Sequence, residues 1–269
     1  MELEIDLNKS VEENAGIYYN AAKKAKKKLE GARKALEESR CKLQQLQQQE
    51  QKFWEEEKKQ ETARLTARKK EWYEKFHWFI SSEGFLCIGG RDATSNEIII
   101  KKHLEKGDLV FHAEAPGSPF FIVKKGQQAT EKTLLEAAQA TAVYSAAWKL
   151  GRTMAEVFYV LPEQISKEAK AGEYLQKGSF MIYGRKNTLH PAVEYAFGIV
   201  EGQIIGAPLA AVESKVQAFL IVVPGDEKKS SLAKRIKAKL KGGDIDEIVS
   251  LLPAGGGEIK SIKYAGKGI

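Results

Sequence analysis

The sequence is poor in the residues that form disulfides and metal sites. It has two cysteines and four histidines among 269 residues. Cys41 lies in a polar, helix-like segment and Cys87 in an apolar run, so neither a disulfide framework nor a zinc knuckle is supported. His77, His103 and His190 show no pairing at the spacing of metal ligands. We therefore expect no metal and no cofactor.

Long apolar runs are also missing. No stretch approaches the ~18 residues of a membrane span, and the N-terminus lacks the apolar core of a signal peptide. These absences predict a protein of a reducing, cytoplasmic setting with no membrane partner. A start within a polar helix is also what a piece excised from a longer protein would show.

Proline is absent from 10–80 and glycine from 32–83. Ser10 and Glu13 have the spacing of a capping box, which predicts that a helix begins there. Leu29, Leu36 and Leu43 recur every seven residues, which is typical of a coiled-coil seam. The companion seam positions are Ala25, Ala32, Ser39, Leu46 and Phe53. The sequence thus predicts a coiled-coil arm over 1–80.

The heptad register breaks after Phe53, next to a Gln-rich segment. This break suits an antiparallel helical hairpin with its tip near 44–53. It suits equally one long helix that pairs with a second copy, which would make the protein a homodimer.

Positive charge exceeds negative charge, with 43 Lys and Arg against 36 Asp and Glu. Such an excess favours an acidic partner, of which nucleic acid is the commonest. On the arm the charge forms a block of one sign, Lys23, Lys24, Lys26, Lys27 and Lys28. Most lysine runs are simply solvated helix faces, but alternating signs suffice for solubility, so we interpret this block as phosphate contacts.

The remainder, 81–269, alternates strand-like and helix-like segments, which predicts an α+β domain with a mixed sheet flanked by helices. The expected strands are 85–88, 109–112, 120–123, 156–161, 178–184 and 218–223, with a hairpin at 197–205. The expected helices are 96–104 and 130–150, with a basic amphipathic helix near 228–241. A flexible glycine-rich tail is expected from about residue 253.

The segment Gly89-Gly90-Arg91-Asp92 follows the first of these strands and precedes a short helix. Glycines at a strand end allow backbone N–H groups to face an anion, and a helix N-terminus adds partial positive charge. The guanidinium of Arg91 suits phosphate or carboxylate, whereas Asp92 is better placed to cap or orient. The alternative is a buried ion pair that only fixes the turn.

Further candidates for contact with a nucleic acid are polar or cationic residues at or near strand ends. They are Asn96, Lys101, Lys102, His112, Lys124, Lys125, Arg185, Lys186 and Asn187. They form one basic face if the fold brings them together and are scattered surface residues if it does not. The aromatic segment 72–79 either stacks bases or joins the arm to the domain, and its helical spacing favours the second interpretation.

Two other classes of function stay open at this stage. One is a metal-dependent nuclease or hydrolase that uses Asp92 and His112, together with Glu83. The other is a coiled-coil scaffold for protein interaction, in which the positive charge is incidental.

Several motifs in order resemble one family. Trp78-Phe79-Ile80-Ser81-Ser82-Glu83, Gly89-Gly90-Arg91-Asp92-Ala93 with Asn96-Glu97, Tyr144-Ser145-Ala146-Ala147-Trp148 and 172–182 (GEYLQKGSFMI) resemble the NFACT-R domain, the RNA-binding module of NEMF-like ribosome quality-control factors. Asn14-Ala15, Tyr18-Tyr19 and Lys23-Lys24 resemble the start of that family's coiled-coil middle region. The resemblance covers nearly the whole chain.

The resemblance implies binding of tRNA and of RNA in the obstructed large ribosomal subunit, without catalysis by this chain. It favours the hairpin form of the arm. In full-length members these contacts support non-templated tailing of the nascent chain. Members usually also carry an N-terminal NFACT domain, which is absent here, so tailing would require that domain in another chain or in a missing segment.

Overall fold

A computed structural model describes residues 4–67, 71–115, 117–167 and 177–264. It divides into two compact units, Met1–Lys70 and Glu71–Ile269. The unit boundary therefore lies ten residues before the predicted one at residue 80. The strand β1 (His77–Ile80) explains the difference, since it pairs with β2 (Leu86–Gly89) of the second unit. Part of the motif at 172–182 and the end of the tail, 265–269, lie outside the described residues.

The first unit is dominated by one uninterrupted helix, α1 (Val11–Ala67). The predicted capping box is present: the Glu13 N–H donates to Ser10 Oγ at 3.1 Å, and the Ser10 N–H donates to Glu13 Oε2 at 2.8 Å. The predicted hairpin is wrong, because 44–53 are helical and contain no turn. Gln, Glu, Lys and Leu all favour helix, and no Gly or Pro interrupts them there.

The segment before α1 folds back onto the helix. The buried side chain of Asn14 accepts a hydrogen bond from the Asp6 N–H at 3.0 Å and donates to the Asp6 carbonyl at 3.0 Å. The Tyr18 hydroxyl donates to the Glu4 carbonyl at 2.6 Å. These bonds satisfy backbone groups that precede the first turn.

The second unit is α+β, as predicted, with two larger antiparallel sheets. The first has six strands in the order β1-β2-β4-β3-β5-β8. Its further members are β3 (Leu109–Ala113), β4 (Phe121–Val123), β5 (Val157–Val160) and β8 (Asn187–Leu189). A separate two-stranded sheet pairs β6 (Ile165–Ser166) with β7 (Met181–Ile182). Every strand pair in the described residues is antiparallel, so the predicted mixed sheet is wrong.

The second large sheet has the order β10-β9-β11-β12. Its strands are β9 (Tyr195–Val200), β10 (Gln203–Ala207), β11 (Ala218–Glu227) and β12 (Gly257–Tyr264). The last strand overlaps the segment predicted to be a flexible tail. There Ile259 and Ile262 pair with Val222 and Leu220 of β11, and this pairing orders a glycine-rich sequence.

Helices connect and cover the sheets. They are α2 (Ala93–Ile98), which continues into a π-helical turn at Ile99–His103, α3 (Glu131–Val143), α4 (Ala146–Lys149), α5 (Leu209–Glu213), α6 (Lys229–Leu240) and α7 (Ile245–Leu251). Helix α6 lies where the basic helix near 228–241 is expected. No helix in the described ranges is both long enough and apolar enough to cross a membrane.

The main hydrophobic core lies between the two large sheets. Helix α3 contacts both of them through buried alanines such as Ala137 and Ala140. A second core covers the opposite face of the six-stranded sheet, where Ile99 and Phe76 pack on Ile88, Val110 and other strand residues. Both faces of this sheet are therefore buried, and its exposed features are concentrated at the strand ends.

Candidate nucleic-acid interface

A cavity of about 660 Å³ lies at the end of the six-stranded sheet, where β2 ends at Gly89 and β4 is entered through Phe120. Side chains on alternating strand positions point to opposite faces, and the cavity contacts both faces around this end. The lining includes His77, Arg91, Asp92, Asn96, His112, Phe120, Tyr144, Lys177, Phe180 and Lys229. They come from six separate stretches of the chain.

The glycine pair permits close packing at this point. A Cβ on Gly89 would meet the ring of Phe121, and a Cβ on Gly90 would meet the side-chain oxygen of Asn96. Gly178 has a φ of +80°, and a Cβ there would lie 2.6 Å from the Cα of Ala93. These glycines let the backbone approach neighbouring segments, which differs from the anion-binding role that the sequence suggests.

The backbone N–H groups of the loop are already satisfied. The Gly90 N–H donates to the Phe120 carbonyl at 3.1 Å. The N–H groups of Arg91 and Asp92 both donate to Ser95 Oγ, each at 2.8 Å. The expectation that these groups face an anion is therefore wrong, and anion binding at this loop would depend on side chains.

Asp92 is the N-cap of α2. Its Oδ1 accepts a hydrogen bond from the Ser95 N–H at 2.7 Å and another from the Ser95 hydroxyl at 3.0 Å. These bonds from Ser95 lower the pKa of the Asp92 carboxyl. The side chain thus orients the loop, as the sequence suggests, and it is not the ion-pair partner of Arg91.

Three cationic side chains line the cavity: Arg91, Lys177 and Lys229. One Nη of Arg91 donates to the Phe76 carbonyl at 3.1 Å, which positions the guanidinium and leaves it other N–H groups. Partial burial, followed by the nearby charge of Arg91, lowers the pKa of Lys229. Two cations therefore face the same space and repel each other, an arrangement that an anion would stabilise.

His77 and Tyr144 form one wall of the cavity. Their rings stack with centroids 3.8 Å apart, and the Tyr144 hydroxyl donates to the Leu251 carbonyl at 2.8 Å. Burial, with the charges of Arg91 and Lys229, lowers the pKa of His77 to about 3. Burial also raises the pKa of Tyr144 to about 12. Both rings are therefore neutral at physiological pH.

His112 lies on the other side of the sheet end. Its ring centroid is 4.4 Å from that of Phe120, which in turn makes an edge contact with Phe180 at 5.5 Å. Burial lowers the pKa of His112 to about 4. Asn96 is also buried here, and its Oδ1 accepts a hydrogen bond from the Phe120 N–H at 3.1 Å.

The structure brings together only part of the predicted RNA-contact set. Gly90, Arg91, Asp92, Asn96 and His112 line the cavity. The remaining candidates do not line it: Gly89, Lys101, Lys102, Lys124, Lys125, Arg185, Lys186 and Asn187.

Some of the candidates outside the cavity have structural partners. Lys124 Nζ donates to Asp108 at 2.7 Å and to the His103 carbonyl at 2.8 Å. Lys186 pairs with Glu114 at 2.7 Å. These contacts give Lys124 and Lys186 a structural role that does not require RNA.

The aromatic segment 72–79 packs within the second unit. Trp72 stacks on His103 with centroids 4.1 Å apart, and Phe76 is buried in the second core. Tyr73 makes an edge contact with Trp78 at 5.0 Å. The rings therefore contact one another and the core, which leaves base stacking without support.

The sequence alone does not predict that Lys177, Lys229, Tyr144 and His77 belong to one site. Lys177 and Tyr144 fall within stretches that resemble the NFACT-R domain, which was the available signal. Lys229 begins α6, for which the sequence predicts a basic amphipathic helix and no place in a site. Nothing local in the sequence places any of these residues next to Arg91.

The structure separates the residues named for the hydrolase alternative. Asp92 and His112 line the same cavity, but Glu83 lies before β2, whereas the cavity lies beyond its end. The Glu83 carboxylate accepts hydrogen bonds from the Thr130 hydroxyl at 2.7 Å and the Thr133 N–H at 3.2 Å, and so caps α3. Within the described ranges, no group of three or more His, Cys, Asp or Glu residues has a metal-binding arrangement.

Comparison with known proteins identifies the domain that contains most of this cavity. Residues 75–184 match the NFACT protein RNA binding domain, NFACT-R. The match includes β1 to β7, the loop at Gly89–Asp92 and Lys177, whereas Lys229 lies beyond it. The matched segment is therefore an α+β domain of the NFACT-R type.

Curated relatives give the family. The chain is 39% identical over 200 residues to the archaeal Rqc2 homolog aRqcH of Methanocaldococcus jannaschii, which covers 71% of this chain and 30% of that protein. It is 42% identical over 185 residues to the human ribosome quality control complex subunit NEMF, covering 66% of this chain and 16% of NEMF. The chain belongs to the NFACT/NEMF-like family.

A third relative, ribosome quality control complex subunit 2 of Schizosaccharomyces pombe, is 36% identical over 202 residues, covering 71% of this chain and 19% of that protein. The chain therefore spans less than a third of the length of each of these relatives.

Among solved structures, the C-terminal part of the fibronectin/fibrinogen-binding protein of Streptococcus suis aligns with a TM-score of 0.39 at 19% identity, over 47% of this chain and 48% of that one. That similarity is too low to support an argument.

Changing Gly90 to alanine should destabilise the second unit. The added Cβ would displace the Asn96 side chain and break its bond to the Phe120 N–H. We expect a loss of about 1–3 kcal/mol in the free energy of unfolding, measured by urea denaturation. Gly107→Ala is the matched control, since no atom lies within 4 Å of a Cβ there. Equal stability of the two variants would contradict this packing role.

Acid should destabilise the second unit through His77. Its pKa is about 3 in the folded state and about 6.5 unfolded, so the unfolded state binds the proton first as pH falls through this window. Stability is therefore highest above pH 6.5 and declines towards pH 3. At pH 4.5 we expect His77→Phe to avoid about 2 kcal/mol of this loss, measured by urea denaturation.

His190→Phe, which replaces an exposed histidine, is the control for this comparison. Parallel pH profiles for wild type, His77→Phe and His190→Phe would show that His77 is not buried in its neutral form.

Proposed function

We propose that this chain is the RNA-binding module of a ribosome-associated quality-control factor, and that the cavity at the sheet end is its main phosphate-contacting site. The observation that carries the proposal is the convergence of Arg91, Lys177 and Lys229 on one cavity, most of which lies in the NFACT-R match. The names of the curated relatives support the quality-control role.

The proposed partners are tRNA and the RNA of the large ribosomal subunit. Both present closely spaced phosphates, and clustered cations gain affinity from them by releasing counterions. An N-terminal NFACT domain, present in another chain or another part of a longer protein, would supply the functions that this segment lacks. This role implies a cytoplasmic location.

The side chains in the cavity favour binding over catalysis. Asp92 is engaged by Ser95, and burial keeps His112 neutral among aromatic rings. The names of the curated relatives describe quality-control subunits and an Rqc2 homolog, and none of the three names a hydrolase. We therefore propose no enzymatic activity for this chain.

Removing a cavity cation should weaken RNA binding in a salt-dependent way. Lys177 is exposed, so Lys177→Ala should not perturb folding. We expect affinity for tRNA to fall several-fold and the slope of log K against log salt to decrease by about 0.7–0.9. The measurement is fluorescence anisotropy with tRNA, a ribosomal RNA stem and duplex DNA over a salt series.

Lys106→Ala is the matched control. Lys106 is exposed and precedes β3, at the end of that strand away from His112. Equal losses in the two variants would mean that charge acts without regard to the cavity. No measurable RNA binding by the wild type would contradict the proposed function and favour the scaffold alternative. RNA cleavage abolished by Asp92→Asn or His112→Gln would favour the nuclease.

We further propose that the arm contributes phosphate contacts and pairs with a second copy of the chain. Lys23, Lys24, Lys26, Lys27 and Lys28 are all exposed on α1. The seam leucines Leu29, Leu36 and Leu43 are 56–59% exposed, which is unusual for a heptad stripe without a partner. An antiparallel pair would place the lysine block opposite the more acidic 55–61, whereas a parallel pair would place it opposite itself.

Self-association should depend on the leucine stripe. Leu36→Glu places a charge in the middle of the seam and should shift the protein towards monomer in light scattering coupled to size exclusion. Cys41→Glu is the control, since it adds the same charge at an exposed position five residues on, outside the two seam positions. A monomeric wild type at all accessible concentrations would contradict pairing through the arm.

A further inference from the structure

The cavity has two chemically different ends. Arg91 lies beside His77 at one end, because one Nη of Arg91 donates to the carbonyl of Phe76, the residue before His77. Lys229 lines the same cavity. His112, Phe120 and Phe180 lie together at the other end, as their ring contacts show. The loop from Gly90 to Ala93 joins the two ends. A ligand that spans the cavity would therefore contact cations at one end and aromatic rings at the other.

The aromatic end presents ring surface to the cavity. Phe120 is almost completely buried, whereas His112 and Phe180 are only partly buried and line the open space. The ammonium of Lys167, which pairs with Glu97, lies 5.7 Å from the ring centroid of Phe180. A flat apolar ligand group would stack there, as bases do on protein aromatics.

Asn96 adds a hydrogen-bond donor at the same end. Asn96 is 8% exposed. Its Oδ1 accepts a hydrogen bond from the Phe120 N–H, which fixes the orientation of the amide. Its Nδ2 donates no hydrogen bond within the described part of the chain and belongs to a residue that lines the cavity. A buried amide of this kind gains by meeting a ligand acceptor, and every nucleobase has acceptors on its edge.

The cationic end suits a phosphate. The only carboxylate among the cavity-lining residues of the described chain is Asp92, whose Oδ1 is occupied by Ser95. The charge of Lys177 lies close enough to Asp92 to lower its pKa further, and so it offsets that negative charge. Apart from Asp92, no acidic residue lines the cavity beside Arg91 and Lys229 in the described part of the chain.

We propose that the cavity holds a single unstacked nucleotide, with its base against Phe180 and the Asn96 amide and its phosphate between Arg91 and the two lysines. The proposal rests on the RNA-binding function proposed above and specifies what that site takes. The volume of about 660 Å³ lies in the range of roughly 300–1,000 Å³ that is usual for small-ligand sites.

A nucleotide in this position cannot remain stacked in a helix. The bases of double-stranded RNA are enclosed by their neighbours, whereas those of loops, bulges and ends can turn outwards and stack on side chains. The protein should therefore prefer an RNA that offers one unpaired nucleotide over a fully paired RNA of equal length and charge.

The first experiment compares two RNA hairpins of equal length, one fully paired and one with a single-nucleotide bulge, by fluorescence anisotropy. Stacking and the Asn96 contact should make the bulged hairpin bind about tenfold tighter. Phe180→Leu keeps apolar volume but removes the stacking surface, and it should lower the affinity for the bulged hairpin to that for the paired hairpin. Phe180→Trp should retain the preference.

Asn96→Asp provides a second, nearly isosteric test. The remaining carboxylate oxygen still accepts the hydrogen bond from the Phe120 N–H, but the donor to the base is lost. We expect it to lose the preference for the bulge, with thermal melting recorded to verify folding. If the variant fails to fold, the Phe180 pair of variants decides the question alone.

Mononucleotides distinguish a free ligand from an RNA segment. Binding of AMP, CMP, GMP or UMP, but not of inorganic phosphate or ribose 5-phosphate, would show that the base is recognised without a polymer. Binding of only the bulged RNA would show that the RNA chain must position the nucleotide. Either result supports the proposal.

Two results separate the possible failures. Equal affinity of the wild type for paired and bulged hairpins, without mononucleotide binding, would overturn the nucleotide pocket and leave the RNA-binding function intact. Absence of binding to any RNA would overturn both.

Discussion

The buried amide of Asn96 joins helix α2 to the loop that follows β2 and to the start of β4. Its oxygen accepts the N–H of Phe120 at the entry to β4, and it packs against Gly90 at the exit of β2. The Gly90 N–H in turn donates to the Phe120 carbonyl. These contacts set the distance between the loop that follows β2 and the start of β4. Gly90, Asn96 and Phe120 all line the cavity.

Electrostatics at the site depend on this arrangement. The backbone N–H groups of the loop donate to Phe120 and Ser95. An anion at this loop would therefore be bound by the Arg91 side chain and not by backbone amides. Arg91 lines the same cavity as Lys229, which begins a helix more than a hundred residues later. Two cations that repel each other across a cavity cost free energy in the empty protein, and an anion would recover it.

The sequence predicted the positions of many elements because hydrophobic period and capping residues act locally. The strands at 109–112, 120–123 and 218–223 overlap β3, β4 and β11, and Thr130 caps α3 as expected. It failed where the outcome depends on partners distant in the chain. The tail after residue 253 contains glycines that suggest flexibility, yet Gly257–Tyr264 pairs with β11. The hairpin prediction failed for a local reason, since no residue in 44–53 terminates the helix.

Residue types and their spacing determined the basic charge, the arm, the α+β class and the family resemblance, because each of these is encoded in contiguous motifs. Only the tertiary structure decided which cations share a cavity. Lys124 and Arg91 both follow strands, but Lys124 is paired with Asp108, whereas Arg91 lines a cavity together with Lys229. The difference arises from which chain segments meet at one end of the sheet, and that is a property of strand order and packing rather than of local sequence.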